Sequence, residues 1–290
     1  MISIIIINYN TFQLTVNCIA SIVDNTSCNY EIIVVDNAST ECDPEEFKIR
    51  FPFIKLIKNP GNYGFAKGNN TGLNLASGDY ILLLNSDTLL INNAIDLTYE
   101  KILSDKKIGA LSAQLVSVDG TFQQCSHYWT SLRKILGCTF RLHHMFKSLK
   151  PIQPDLKTEH YSEYLWGTFF LFPKEILKIF KDKKLPETFF MYAEDTEWCH
   201  YIKKAGYKLL YYPTAKITHY GGASSNNNTK KWTNGFHNEY RLSKMVNGQL
   251  YTFFYYQAIV LFYFSGIKKE TFEKGIYILR HMCKDMIKSA

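Results

Sequence analysis

The sequence predicts an α/β protein: a mixed, mostly parallel sheet flanked by helices, with a helical C-terminal extension. Three observations lead there. Residues 2–7 form an unbroken apolar run dominated by isoleucine, as expected of a strand covered on both faces. Similar short runs alternate with helix-like segments through the first half of the chain, the rhythm of βα units in a parallel sheet. The polar stretch 221–229 (GGASSNNNT) then ends that rhythm and opens a tail with a helical pattern.

Taken in order, residues 2–7 are the first strand. Residues 11–24, with apolar positions at Leu14, Cys18, Ile19 and Ile22, are the first helix. Strands follow at 31–35, 54–57 and 80–84, and residues 64–76 read as a loop turning into a helix. Residues 120–160 lose the alternation and read as an irregular or helical excursion. Residues 165–172 are a strand, and Pro173 opens a helix, because its fixed φ suits a first helical turn. A helix over 195–205 is stopped by Gly206. Residues 207–212 and 216–220 are closing strands. The organisation expected is one domain over 1–225 and a helical extension over 226–290.

With 46% hydrophobic residues among 290, the chain can bury a core, which excludes disorder as a class. The formal charge of +7 is unevenly placed. Residues 120–154 hold five Lys/Arg and no acid, and residues 229–290 hold ten against four. Both segments also carry apolar residues, among them Leu132, Ile135, Phe140, Met145 and Phe146 in the first and the run 251–264 in the second. That mixture fits an anionic membrane surface better than a nucleic-acid groove, although a solvated basic face has the same composition. The run 251–264 is shorter than the roughly 20 residues a spanning helix requires. Residues 1–10 lack a basic leader segment and read as a strand. The seven cysteines show no CxxC spacing, which indicates reduced thiols and a cytoplasmic setting.

Ligands of open α/β sheets bind at the carboxyl ends of the strands. Asp36 ends the second strand in IIVVDNAST, and Asp87 follows the fourth in YILLLNSDT. Either one alone reads better as a helix cap or turn residue; two at equivalent strand ends, each near Asn, shift the balance toward a ligand. One carboxylate can accept hydrogen bonds from a base or ribose, and another can hold a divalent ion. GxGxxG and GxxxxGK[ST] are both missing, which excludes the common dinucleotide and P-loop solutions for phosphate. A metal on Asp87 is then the natural counter-charge. The segment NPGNYGFAKGNN (59–70) combines Gly61, Gly64 and Gly68, which let the backbone approach a ligand closely, with donors to phosphates or sugar hydroxyls from Asn62, Lys67, Asn69 and Asn70. Glu194 and Asp195 open a helix behind the apolar FFMY; they can cap it or take a proton from an attacking hydroxyl. His219 precedes a Gly-Gly loop and is a candidate metal ligand or a structural histidine.

Together, SIIIINYN, IIVVDNAST, NPGNYGFAKGNN, YILLLNSDT, WGTFFLFPKE, FFMYAEDTEWCHYIKKAGYKLLYYP and ITHYGGAS resemble the inverting glycosyltransferases of family 2, nearest to the rhamnosyltransferase-like branch. The resemblance covers roughly residues 2–225 and implies the GT-A (Rossmann-like) fold. It implies that Asp36 contacts the nucleobase, that Asp87 is the metal-binding last residue of the DxD motif, and that Asp195, with Glu194 beside it, is the catalytic base. Asn8, Asn62, Gly64, Phe65, Lys67, Asn69, Asn70 and Asn85 would line the donor pocket. Trp166 and Gly167 would lie near sugar and acceptor, and His219 would complete the metal or diphosphate site. The motif reads Asn85-Ser86-Asp87, with an amide in place of its first carboxylate. The implied function is transfer of a sugar from a nucleoside diphosphate, dTDP-rhamnose first and a UDP-sugar second, with Mn²⁺ or Mg²⁺ as cofactor. The acceptor would be a glycan or lipid-linked hydroxyl in surface polysaccharide synthesis, at the inner face of the cell membrane, with peripheral membrane contact through residues 229–290 and no nucleic-acid partner. A sugar nucleotidyltransferase and a non-catalytic nucleotide-sugar-binding module are the alternatives.

Overall fold

The computed structural model describes residues 1–221, 228–266 and 269–289. The chain opens with β1 (Ile2–Asn8), α1 (Phe12–Asn25), β2 (Tyr30–Asp36), a short α2 (Glu46–Arg50), β3 (Lys55–Lys58), α3 (Gly64–Leu73) and β4 (Tyr80–Asn85). It continues through β5 (Thr88–Leu90), α4 (Ala94–Ser104), β6 (Ile108–Val116), β7 (Phe122–Gln123), β8 (Ser126–His127) and α5 (Leu132–Thr139). Next come β9 (His160–Ser162), β10 (Tyr164–Leu165), β11 (Phe169–Pro173), α6 (Glu194–Lys204) and β12 (Lys208–His219). Helices α7 (Asn228–Asn247), α8 (Gln249–Phe264) and α9 (Lys269–Ser289) form the tail.

The main sheet runs β3-β2-β1-β4-β11-β6-β12-β5, with β7 on β6 and β9 on β12. Strands β3, β2, β1 and β4 are mutually parallel, whereas β11 is antiparallel to both β4 and β6. Ile4, Ile5 and Ile6 of β1, Ile32–Val35 of β2 and Ile81–Leu84 of β4 are all buried. This is why these runs are apolar without alternation: helices cover both faces. Each such side chain contributes about 1.5–3 kcal/mol relative to exposure, so together they fix the register. That register sets Asn8 beside Asp36 and Ile7 beside Asn85. It therefore delivers the polar ends of β1, β2 and β4 to one edge.

The chain divides into two compact units, Met1–His127 with Pro154–Gly235, and Tyr128–Gln153 with Phe236–Ala290. Residues 128–153 thus group with the tail, a pairing that a single cut at 225/226 does not contain. That cut, and most of the polar loop 221–229, fall on residues 222–227, outside the described residues.

Several local expectations change. The strand over 165–172 is two strands, because the chain breaks at Trp166–Thr168 to present Gly167. Pro173 caps a 3₁₀ helix, Lys174–Ile179, in place of an α-helix. The two closing strands are one, β12, with an irregularity between Tyr212 and Lys216. Strands β5 and β6 and helix α4 are not announced by the pattern. β6 (IGALSAQLV) is almost wholly buried although it carries Gly109, Ser112 and Gln114. Tertiary partners make this tolerable: the Tyr211 hydroxyl donates to Oε1 of Gln114, and its Nε2 donates to the Leu115 carbonyl.

Helix α3 lies tightly on the sheet through Gly72. A Cβ there would sit 2.6 Å from Cγ2 of Ile5 and 3.2 Å from Cγ2 of Val35. Gly72→Ala gains helix propensity of up to about 1 kcal/mol but overpacks the core at about 1–3 kcal/mol. Urea unfolding is expected to show a net loss of stability; an equal or higher midpoint would contradict this packing.

Candidate active site

Asn8 ends β1 and is fully committed. An amide offers two donor hydrogens and two acceptor lone pairs. Its Nδ2 donates to Oδ1 of Asp36 (2.7 Å) and to Oγ of Ser39 (2.9 Å). Its Oδ1 accepts from the hydroxyls of Thr11 (3.1 Å) and Thr15 (2.8 Å). The other Asp36 oxygen accepts from the Ser39 amide at 3.0 Å. Thr11 continues the chain to the Ser86 hydroxyl at 3.0 Å. A buried relay therefore runs from Asp36 through Asn8 and Thr11 to the residue before Asp87.

Beside Asp36, the 59–70 segment is laid down by backbone geometry. Asn37 donates to the Gly64 carbonyl (3.1 Å) and accepts from Asn59 (2.8 Å). Oδ1 of Asn62 accepts from the Gly64 amide at 2.9 Å, and the Phe65 amide donates to the Phe190 carbonyl at 3.0 Å. Gly64 has φ +73°, and a Cβ there would lie 2.2 Å from the Phe190 carbonyl oxygen. Only glycine meets both demands.

Asp87 lies in the turn between β4 and β5, facing the end of β12. Nε2 of His219 is 3.5 Å from Oδ1 of Asp87. On the far side of the ring, Nδ1 sits 2.7 Å from Oε1 of Gln123. Nε2 of Gln123 donates to the His219 carbonyl (2.7 Å) and to Ser117 (3.0 Å). Those bonds fix the amide orientation, so Oε1 must accept from the Nδ1 hydrogen. In the neutral ring, Nε2 then carries a lone pair directed at a carboxylate oxygen. Two facing acceptors are stable when a cation lies between them, and a ring held by its second nitrogen is the usual preparation of a metal ligand. The donor set, one carboxylate and one imidazole, fits a divalent ion that draws its remaining ligands from phosphate and water. Among the described residues no third His, Cys, Asp or Glu joins the group.

The pair Glu194-Asp195 is presented by strained backbone. Tyr192 and Ala193 both have positive φ, 70° and 74°, immediately before α6. Two consecutive left-handed non-glycine residues cost roughly 1–2 kcal/mol each, the kind of strain that collects at functional sites. Asp195 accepts at Oδ2 from the Gly167 amide (2.9 Å) and at Oδ1 from the Thr196 amide (2.7 Å) and hydroxyl (3.3 Å). Glu194 is buried, and its Oε2 has no hydrogen-bond partner among the described residues. Burial holds the Glu194 carboxyl well above the ordinary range, and the charges of Asp195 and Glu197 push it further. Burial also raises Asp195, against the pull of its three donors. Two adjacent desolvated carboxyls share their charge unequally. Asp195, with three donors, is the better supported of the two as an anion, and burial without a partner at Oε2 disfavours the charge on Glu194. Gly167 is glycine for a steric reason: a Cβ would lie 2.8 Å from the Phe65 ring. That ring stacks on the buried Trp198 at 6.0 Å and closes an apolar wall beside Asp195.

The elements converge on one edge. The Asn85 amide donates to the Thr168 carbonyl at 3.0 Å, joining the end of β4 to the Gly167 turn. The Asp87 carbonyl accepts from the Tyr220 amide at 3.0 Å, joining that turn to the end of β12. Asp36, Asp87, Asp195 and His219 are thereby linked through short bonded chains within the first unit. Some residues of the 59–70 segment face elsewhere. Both Asn70 donor hydrogens go to Leu185 and Glu187 (2.8 Å each), so its amide ties down the 185–187 loop. Lys67 is exposed, with its ammonium 3.7 Å above the Tyr63 ring. Asn69 is buried, donates to the Phe65 carbonyl and leaves Oδ1 without a partner among the described residues. The Trp166 ring is exposed and lies against His127, 5.4 Å away, whose imidazole burial pushes down to about 4. Gln123, Thr11, Thr15, Ser39 and Asn37 were not anticipated. Asn37 and Ser39 lie within IIVVDNAST but carry no role of their own there, and Gln123, Thr11 and Thr15 stand outside any motif.

Fold and site together define a glycosyltransferase of the GT-A class. Within that class the chain belongs to glycosyl transferase family 2, whose family model matches residues 3–180. The chain is 31% identical over 107 residues to the glycosyltransferase GlyG of Streptococcus pneumoniae serotype 4, covering 35% of each chain. It is 33% identical over 109 residues to the UDP-Glc:alpha-D-GlcNAc-diphosphoundecaprenol beta-1,3-glucosyltransferase WfgD of Escherichia coli, covering 36% of this chain and 42% of that one. The match thus spans about a third to two-fifths of these relatives. Among solved structures, GalNAc-T7 with UDP, GalNAc and Mn²⁺ superposes with a TM-score of 0.58 at 17% identity, covering 77% of this chain and 45% of that one. The mannosyltransferase PcManGT of Pyrobaculum calidifontis, with GDP-Man and Mn²⁺, gives 0.54 at 16% identity, covering 96% and 68%. At these identities the likeness is one of fold.

A carboxyl raised in the folded state favours folding at low pH, and that advantage is lost as pH rises through its folded value. Glu194 therefore makes the fold weaken as pH climbs above its ordinary 4.5. Urea midpoints at pH 5 and pH 8 should differ less for Glu194→Gln than for the parent; an unchanged difference would place the proton elsewhere.

Proposed function

We propose that the chain transfers a sugar from a nucleoside diphosphate to an acceptor hydroxyl, by single displacement with inversion at the anomeric carbon. The observation that carries this reading is the Asp195 carboxylate itself, presented at the sheet edge and oriented by the Gly167 amide and by the amide and hydroxyl of Thr196. A carboxylate whose proton affinity burial raises, and whose orientation Gly167 and Thr196 fix, is suited to act as a general base toward an attacking hydroxyl.

In the proposed reaction Asp195 accepts the acceptor hydroxyl's proton as that oxygen attacks the anomeric carbon. The bond from this carbon to the diphosphate oxygen breaks, and its electron pair leaves with the nucleoside diphosphate. The transition state has oxocarbenium character, as in glycoside hydrolysis. Asp36 accepts from the base or ribose and is held for that task by Asn8 and Ser39. Asn62 and Gly64 shape the loop that carries the donor, and Phe65 with Trp198 keeps water from the reacting carbon. Trp166 gives the acceptor an exposed ring beside Gly167. Asp87 and His219 would hold Mn²⁺ or Mg²⁺, which when bound would neutralise charge on the departing diphosphate.

For the donor, dTDP-rhamnose is the first assignment and a UDP-sugar the second; the UDP-glucose named for the Escherichia coli relative supports the second. That relative's diphosphoundecaprenol-linked acceptor supports a lipid-linked glycan acceptor and work at the inner membrane face. Among the described residues no helix is long and apolar enough to cross a membrane. Peripheral contact through the basic, aromatic tail is the corresponding proposal.

Asp195→Asn keeps the shape and removes the base. Turnover should fall by about 10²–10⁴-fold while donor affinity, by calorimetry, stays within a few-fold; near-parental turnover would remove Asp195 from this role. Gln123→Leu releases the His219 ring. Loss of such an outer partner costs about 10–100-fold in metal affinity, so the Mn²⁺ concentration for half-maximal transfer should rise by that factor. An unchanged requirement would mean that His219 does not hold the ion.

A further inference from the structure

The second unit contains a surface that nothing in the transfer chemistry uses. Helix α5 leaves Phe140 exposed at its end; Arg141, with φ 57°, then reverses the chain into two 3₁₀ turns, Leu142–His144 and Lys147–Leu149. The turns return against the helix, where Leu149 packs so closely on Gly137 that a Cβ there would lie 2.7 Å from the Leu149 Cβ. This hairpin is therefore a packed feature, with Ile135 and Leu149 as its buried anchor.

Its outer residues are the reverse of what water favours. Met145 is 76% exposed, Phe140 63%, Ile152 61% and Phe146 53%, with Leu142 also exposed. Apolar residues clustered at this density mark an interaction site. Interleaved with them are Arg133, Lys134, Arg141, Lys147 and Lys150, and residues 120–154 contain no acid. None of these five cations enters an ion pair among the described residues. On the hairpin, Leu132, Leu136, Leu142 and Leu149, with Arg133 and Gly137, line an open apolar groove of about 530 Å³.

We propose that this hairpin is a membrane-docking element: Phe140, Leu142, Met145 and Phe146 enter the acyl boundary of an acidic bilayer, and the five cations meet its phosphates. The open groove lined by Leu132, Leu136, Leu142 and Leu149 adds apolar surface to the same face. Charge decides the occupant. A symmetric contact with a second copy would set five cations against five with no acid to offset them, whereas an anionic leaflet neutralises all of them. This deepens, and rests on, the reading of peripheral membrane contact, and moves the point of contact from the tail alone to residues 132–152.

The test is sedimentation of the full chain with phosphatidylcholine vesicles, with and without phosphatidylglycerol, against the variant F140S/M145S/F146S and the variant R141E/K147E/K150E. Every substituted side chain is exposed, and circular dichroism with donor hydrolysis checks that the fold and the first unit are intact. The parent is expected to pellet with the acidic vesicles only, and each variant to lose about tenfold or more in partitioning. A parent that ignores acidic vesicles overturns membrane contact altogether. A parent that binds while both variants bind equally well overturns the hairpin and leaves the tail. A parent that is dimeric by light scattering, and becomes monomeric in the serine variant, assigns the surface to a second copy and overturns the proposal.

Discussion

The buried amide of Asn8 is the constraint on which the site depends. It stands at the end of a strand packed on both faces, and its four hydrogen-bonding positions are used in four directions. Leaving the Asp36 carboxylate buried without that donor would cost about 1–3 kcal/mol or more. The same amide anchors Thr11, which reaches Ser86 and so the turn holding Asp87. The isoleucine core of β1 thus controls the spacing between the Asp36 carboxylate and the turn that carries Asp87. Parallel pairing of β1 with both β2 and β4 makes this possible, since it ends three strands on one edge.

On the other side of the edge, two carboxyls adjacent in sequence meet opposite surroundings. Asp195 meets three donors, and Glu194 Oε2 meets none among the described residues. The left-handed pair Tyr192–Ala193 sets this difference by turning the start of α6 toward the Gly167 turn. The antiparallel β11 brings that turn to the edge, because it begins where β4 ends. The site is thus fed by a parallel sheet on one side and closed by one reversed strand on the other.

Much of this was legible in the sequence, for identifiable reasons. Runs such as SIIIIN and IIVVD announce buried strands by composition, and their terminal Asn8 and Asp36 announce an edge. Gly64 reads as a place where a ligand comes close to the backbone, whereas the group that the structure puts against it is the chain's own Phe190 carbonyl. The illegible parts depend on tertiary partners. Gln123 reads as an ordinary loop residue until its amide is seen to orient His219. Asn70 sits inside a motif of ligand-like residues, yet its amide binds the 185–187 loop. β6 hides a buried strand behind Gly, Ser and Gln, and residues 128–153 pair with a tail more than eighty residues away, which no local pattern encodes.

The central claim is that this edge holds a nucleoside diphosphate together with a divalent ion. Thermal unfolding of the parent chain with UDP, GDP and dTDP, each with and without Mn²⁺, tests it most directly. The account predicts that one diphosphate with Mn²⁺ raises the melting temperature well beyond the separate effects of either component. No stabilisation by any diphosphate, or stabilisation indifferent to Mn²⁺, would contradict it.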